Sequence, residues 1–178
     1  MNLSTALRTL VGWDARGRYV WTTRDLAKLF PEDSPKAFEA GLARLVRGGV
    51  LRRACKGIYV LPEARSDDGR TLERVARALR RGRHSYVSLE SALSEHGAIS
   101  QVMPDRLTIM TTGRRGTVRT PWGTLELTHT RRPAIAVLDA TLEVGRPLRL
   151  ASARTAWRDL KRVGRNVHLV DVGALDGD

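Results

Sequence analysis

Apolar positions near the start of the chain recur at helical spacing. Leu3, Leu7, Leu10 and Val11 predict a first helix over about residues 3–12, ended by Gly12 and the Asp14–Gly17 turn. Arg18–Trp21 reads as a short extended segment. Thr22 or Thr23 can cap a second helix over 23–30, with Leu26, Leu29 and Phe30 on one face and Pro31 as its stop. Ser34-Pro35 then places a capping hydroxyl before a proline at the first helical position, the arrangement that suits a helix start. Phe38, Leu42, Leu45 and Val46 form one stripe, and Gly48-Gly49 terminates a third helix over 35–47. Two short helices joined by a few residues make a helix-turn-helix. Val50–Arg53 and Gly57–Leu61, separated by Ala54-Cys55-Lys56, are β-rich and predict a hairpin whose tip carries Arg52, Arg53 and Lys56. A hairpin directly behind the helix pair makes the motif winged.

Residues 62–70 hold proline, glycine and mixed charge without periodicity, as a linker does. Leu72, Val75, Ala76 and Leu79 predict a helix over 71–82 whose other face carries Arg74, Arg77, Arg80 and Arg81. Tyr86-Val87 is extended, Ser88 caps a helix over 89–96, and Arg106–Thr111 is a strand. A second hairpin is expected from 117–120 and 124–130 around Pro121-Trp122-Gly123, because Leu125 and Leu127 alternate with Glu126 and Thr128. Residues 134–144 fit strand and helix equally. Ala153–Val163 predicts a helix and Val167–Val172 a last strand. The reading is an α+β chain: a winged helix-turn-helix over 1–62 and a mixed α/β C-terminal domain over 63–178.

Composition adds one strong constraint. The 178 residues carry 31 Lys and Arg against 19 Asp and Glu, a net charge of +12. Such an excess supplies the counterion-release term that dominates nucleic-acid affinity. Residues 1–62 hold 11 basic and 5 acidic side chains, the remainder 20 and 14, so the shorter segment is the denser polycation. No apolar run reaches the ~20 residues that span a bilayer. The N-terminus lacks signal-peptide features, so a cytoplasmic location is expected. A single cysteine, Cys55, excludes an internal disulfide framework, and its basic flank leaves redox sensing open beside a plain turn or strand role.

In a winged helix-turn-helix the second helix enters the major groove and the wing meets the backbone or the minor groove. With its apolar stripe inward, the third helix presents Lys36, Ala37, Glu39, Ala40, Ala43, Arg44 and Arg47 outward. Small residues at 37 and 40 allow close approach to base edges, and Arg44 suits guanine or phosphate. Ser34 and Lys36 suit phosphate at the helix start. The DNA-contacting set read from the sequence is therefore Thr23, Ser34, Lys36, Ala37, Ala40, Arg44, Arg47, Arg52, Arg53 and Lys56. Arg74, Arg77, Arg80 and Arg81 form a candidate second basic surface, with a solvated helix face as the equal alternative.

Signs of chemistry are sparse. His84, His96, His129 and His168 are isolated and no metal-ligand spacing occurs, so no metal and no cofactor is expected. Gly113-Arg114-Arg115-Gly116 reads as a basic turn. Nothing local joins Ser88, His96 and Asp105 into a triad. Asp139, Glu143 and Asp159 are the candidates for a nuclease carboxylate cluster. The expectation is a binding protein and not an enzyme, with RNA binding as a further alternative.

The run Tyr86–Ile99 (YVSLESALSEHGAI) and Pro104–Ile109 (PDRLTI) resembles the segment that follows the winged domain in AbiEi-type antitoxins. Leu150–Leu160 (LASARTAWRDL) is similar to a later motif of that family, and Lys56–Val60 (KGIYV) fits its wing. The chain departs from longer relatives by stopping at Asp178. The resemblance implies a component of a type IV toxin–antitoxin (abortive infection) system. Such an antitoxin represses its own operon and counters a nucleotidyltransferase-like toxin without a direct complex. The expected partner is double-stranded operator DNA with inverted repeats. No heptad argues for a stable free dimer, which is compatible with a monomer in solution and two copies on DNA. The alternative is a stand-alone winged-helix regulator whose C-terminal domain senses a ligand or dimerises.

Overall fold

The computed structural model describes residues 2–100 and 105–176. Two compact units divide the chain, Met1–Thr71 and Leu72–Asp178. Both mix helix and sheet, so the α+β expectation holds. Among the described residues no helix is long and apolar enough to cross a membrane.

The first unit contains α1 (Leu3–Asp14), β1 (Val20–Thr22), α2 (Thr23–Leu29), α3 (Pro35–Arg47), β2 (Arg52–Cys55) and β3 (Ile58–Val60). Local chemistry sets the helix ends. Thr22 and Asp25 make a reciprocal capping box on α2. The Ser34 hydroxyl accepts the Ala37 amide at 3.3 Å, with Pro35 at the first position of α3. The three strands form an antiparallel sheet in the order β1-β3-β2. Trp21, Leu26, Leu42, Leu45, Leu51, Ile58 and Val60 supply its core.

Two expectations change here. On α1 the inward face is Ala6, Leu10 and Asp14, while Leu3, Leu7 and Val11 are exposed. Ala6 is a small residue that apolar spacing does not single out, and Asp14 is drawn inward by hydrogen bonds. The segment after Pro62 belongs to the first unit and is no free linker, which moves the division from Pro62 to Thr71. The Asp14 carboxylate accepts the Arg65 amide at 2.8 Å, the Ser66 amide at 3.1 Å and the Ser66 hydroxyl at 2.5 Å. Tyr19, fully buried, donates its hydroxyl to Asp67 at 2.9 Å. Burial pushes the Asp14 carboxyl upward, but these bonds and the nearby Arg65 cation outweigh it and hold it below the ordinary carboxylate value.

The second unit contains α4 (Thr71–Leu79), β4 (Ser85–Val87), α5 (Leu89–Glu95), β5 (Arg106–Thr111), β6 (Gly116–Thr120), β7 (Gly123–His129), α6 (Ala134–Asp139), β8 (Thr141–Leu142), β9 (Arg149–Ala151) and α7 (Ala153–Val163). Its six-stranded sheet runs β6-β7-β5-β4-β9-β8, with β5/β7 and β4/β9 parallel and the other pairs antiparallel. Helix α5 packs on α7 and on β5. The segment that fitted both helix and strand is one of each, α6 followed by β8. Gly123 requires its residue type: φ is +126°, and a Cβ there would lie 2.5 Å from the Asp105 carbonyl oxygen.

Three further corrections concern element ends. Helix α4 stops at Leu79, so Arg80 and Arg81 lie beyond it. The strand expected over 167–172 is instead two 3-10 turns, Val167–Leu169 and Val172–Asp176. Asn166 enters the left-handed region just before them, and among the described residues no strand pairs with the run, so its branched residues find no ladder there. Ser88 makes no side-chain cap on α5. Thr108 of β5 does this across the sheet: its hydroxyl accepts the Ser91 amide at 3.0 Å and donates to the Ser88 carbonyl at 2.7 Å. Pro104, part of the motif expected before β5, lies outside the described residues.

Candidate functional sites

Helix α3 has two contrasting faces. Phe38, Gly41, Leu42 and Leu45 are buried, whereas Lys36, Ala37, Glu39, Ala40, Ala43, Arg44 and Arg47 are all exposed. The exposed set recurs every three or four residues, which on a helix gathers it into one face. Arg44 and Arg47 occupy the last turn, where the helix dipole favours cations. The face thus offers positive charge at both ends and small side chains at 37, 40 and 43.

The remaining expected contacts divide. Ser34 is exposed and caps α3. Thr23 is half-buried: its amide donates to the Gly57 carbonyl at 2.9 Å and its hydroxyl to the same oxygen at 3.4 Å. It ties α2 to the hairpin turn and is only partly exposed. The hairpin tip is Lys56-Gly57, with Gly57 at φ +76°. Ala54 and Cys55 lie in β2, with Cys55 half-buried, so the turn is shorter than the Ala54–Lys56 loop expected. Arg52 pairs across from Val60 and Arg53 from Tyr59, which puts both along the strand and leaves Lys56 at the tip. Both arginines are exposed, and Arg53 Nε donates to the Cys55 carbonyl at 3.3 Å.

The four arginines of the candidate second basic surface divide. Arg77 and Arg81 are exposed, whereas Arg74 is half-buried. Arg80 turns back and donates to the Arg114 carbonyl from Nε at 3.0 Å and Nη2 at 2.7 Å. Glu73 of the same helix is buried, not solvated. It accepts the Leu148 amide at 3.2 Å and pairs with Arg146 at 3.0 Å, and Glu95 also pairs with Arg146. Burial works against the Arg146 cation, yet Glu95 and Glu73 outweigh it and raise its pKa.

A buried polar cluster that spacing did not reveal lies in the second unit. Asp159 on α7, 1% exposed, accepts the Tyr86 hydroxyl at 3.0 Å and the Ser88 hydroxyl at 2.9 Å. Arg132 closes it with Nη2 at 2.8 Å from Asp159 and Nη1 at 2.9 Å from the Tyr86 oxygen. Burial first, and then the Asp159 charge, push the Tyr86 phenol up to about 12, against the opposing effect of Arg132. Next to the cluster lies an open concavity of about 440 Å³, lined by Arg132, Asp139, Ser152, Arg154 and Arg158 among others.

Catalytic alternatives find no shared site. Ser88 is committed to Asp159, His96 Nε2 donates to the Ala151 carbonyl at 2.8 Å, and Asp105 is exposed. Of the three carboxylates considered for a metal, Asp139 is exposed, Glu143 pairs with Arg149 and Asp159 is internal to its cluster. Among the described residues no group of three or more His, Cys, Asp or Glu is placed to hold a metal ion.

No family model and no curated protein matches the chain. Among solved structures it is similar to the RV2827C protein from Mycobacterium tuberculosis, with a TM-score of 0.51 and 18% identity. The match covers 76% of this chain and 48% of that one, so the chain spans about half the length of that neighbour. At this identity the likeness is one of fold.

Proposed function

We propose that the chain is a DNA-binding regulator whose first unit acts as a winged helix-turn-helix, with α3 as the reading helix. The observation that carries this reading is the outward face of α3, where Lys36, Ala37, Ala40, Arg44 and Arg47 lie together opposite the buried Phe38, Leu42 and Leu45. A face with cations at its ends and small side chains between them, Glu39 being its one acidic member, suits a major groove, where close approach and guanidinium forks read base edges. The hairpin β2–β3, with Lys56 at its tip and Arg52 and Arg53 along it, is in position in the chain to serve as the wing.

The second unit extends the proposal through the AbiEi-like motifs. Tyr86 and Ser88 come from one motif and Asp159 from another, and they meet in one buried cluster. That gives these motif positions a structural reason to occur together. On this reading the protein is an antitoxin and autorepressor that counters a nucleotidyltransferase-like toxin, two copies occupying an inverted repeat. A second reading, a stand-alone regulator sensing a ligand, draws on the concavity beside Arg132. Rescue of growth when this chain is co-expressed with a neighbouring nucleotidyltransferase supports the first over the second.

The DNA reading is tested by gel shift on the duplex upstream of the gene, with scrambled duplex as competitor at two salt concentrations. Binding that survives competition and is lost in Lys36→Ala with Arg44→Ala is the expected result. Equal, weak binding of both duplexes would refute sequence reading by α3.

A further inference from the structure

The loop between β5 and β6 builds a second cationic feature in a part of the chain to which the α3 reading assigns nothing. Arg83, Thr112, Gly113, Arg114, Arg115 and His129 line a shallow concavity of about 510 Å³. The three arginines are exposed, the lining contains no carboxylate, and among the described residues none of the three has an acidic partner.

The loop is held in shape by its own bonds. The Thr112 amide donates to the His84 carbonyl at 2.9 Å, and the Thr112 hydroxyl accepts the His84 amide at 3.1 Å. The Gly113 amide donates to the Thr111 hydroxyl at 3.0 Å, while the Gly113 carbonyl accepts His129 Nδ1 at 2.9 Å. Arg80 clamps the next carbonyl, that of Arg114, with two donors. Gly113 permits this closeness, since a Cβ there would lie 2.8 Å from Arg80 Cδ and 3.3 Å from Arg83 Cγ. Arg80 therefore holds the loop in place, leaving Arg83, Arg114 and Arg115 to face solvent around it.

We propose that this concavity binds the phosphodiester backbone of nucleic acid without reading its sequence. Guanidinium forks match phosphate oxygens, and a backbone already fixed by hydrogen bonds loses little freedom on binding. The site is open and shallow, and its one lining ring, His129, is tied through Nδ1 to the Gly113 carbonyl, so the exposed guanidinium groups suit a passing backbone better than an enclosed base or nucleotide. It is independent of α3: the one contributes sequence-blind affinity and the other discrimination.

The full chain is titrated by fluorescence anisotropy against a labelled scrambled DNA duplex and a labelled single-stranded RNA, over salt from about 50 to 200 mM. The variant Arg83→Gln/Arg114→Gln/Arg115→Gln is compared with Arg8→Gln/Arg119→Gln/Lys161→Gln, which removes the same charge from exposed positions outside both concavities and α3. At about 100 mM salt the loop variant is expected to bind at least one probe roughly tenfold more weakly. Its slope of log K against log salt should be shallower by about two to three on duplex DNA and somewhat less on RNA. The control variant should change little. Unchanged affinity for both probes, or equal loss in both variants, overturns the proposal. Thermal melting verifies folding, and Arg114→Gln alone, which keeps the clamped carbonyl, gives the same direction with a smaller effect. Lys36→Ala with Arg44→Ala reads out differently, as lost preference for the upstream duplex with scrambled-duplex binding largely kept. The two proposals therefore fail separately.

Discussion

Tyr86 and Asp159 stand 73 residues apart in the chain and meet at 3.0 Å in the interior of the second unit. Tyr86 belongs to a central strand and Asp159 to the helix α7, and Arg132 bridges both. A buried carboxylate with a paired guanidinium and two hydroxyl donors has its bonding capacity met. Removing one partner leaves the others in a medium that solvates them poorly.

Asp159→Ala should therefore destabilise the chain by about 3–5 kcal/mol, the range for breaking a buried ion pair from one side. Denaturant unfolding measures it as a lower midpoint. Tyr86→Phe, which removes one hydroxyl and retains the ring, should cost about 1 kcal/mol. Equal effects of the two would show that the Arg132–Asp159 pair carries no special share of the stability.

The Tyr86 phenol, raised from 10.0 to about 12, gives a dependence on alkaline pH. A raised folded-state pKa means that its contribution is complete below about 10 and lost as pH climbs toward about 12. Ultraviolet titration of the wild type minus Tyr86→Phe isolates this group. Its tyrosinate absorbance should rise near about 12. A midpoint at the unshifted value would show that the phenol is not held by burial and Asp159.

Asp14 acts at the opposite end of the pH scale. Its folded pKa is lowered from 3.8, so its stabilisation is present above that value and disappears as pH falls through the folded one. Asp14→Asn should be less stable than the wild type near neutrality, with the gap closing in acid. The same substitution should loosen residues 63–70, because one of the two oxygens that accept the Arg65 and Ser66 donors becomes an NH2 donor. Faster limited proteolysis within that segment, with α3 still protected, checks the second consequence.

Gly123→Ala places a Cβ against the Asp105 carbonyl in a left-handed backbone conformation. Strain of this kind costs about 1–3 kcal/mol before the clash is counted. Gly164→Ala, at φ +74° with open space around it, should cost about 1 kcal/mol. Thermal unfolding of the two variants ranks them, and a reversed order would contradict the close approach at Gly123.

By itself the sequence determined elements whose signals are local. Helices over 35–47 and 153–163 are readable to the residue, because a serine cap, a proline or alanine start, an apolar stripe and a glycine stop lie within each segment. The outward face of α3 follows from the same stripe. Tertiary structure alone decided where the charges go. Glu73 reads as a solvated helix residue, yet Arg146 reaches it from the β8–β9 connection, and Arg80 reads as surface charge yet clamps a loop carbonyl. Ser88 has the form of a cap, but Thr108 performs that role from a neighbouring strand. Caps and stripes depend on neighbours one to four residues away, so spacing encodes them. Ion pairs and borrowed caps depend on the path of the chain through the sheet, which brings together residues that no short pattern relates.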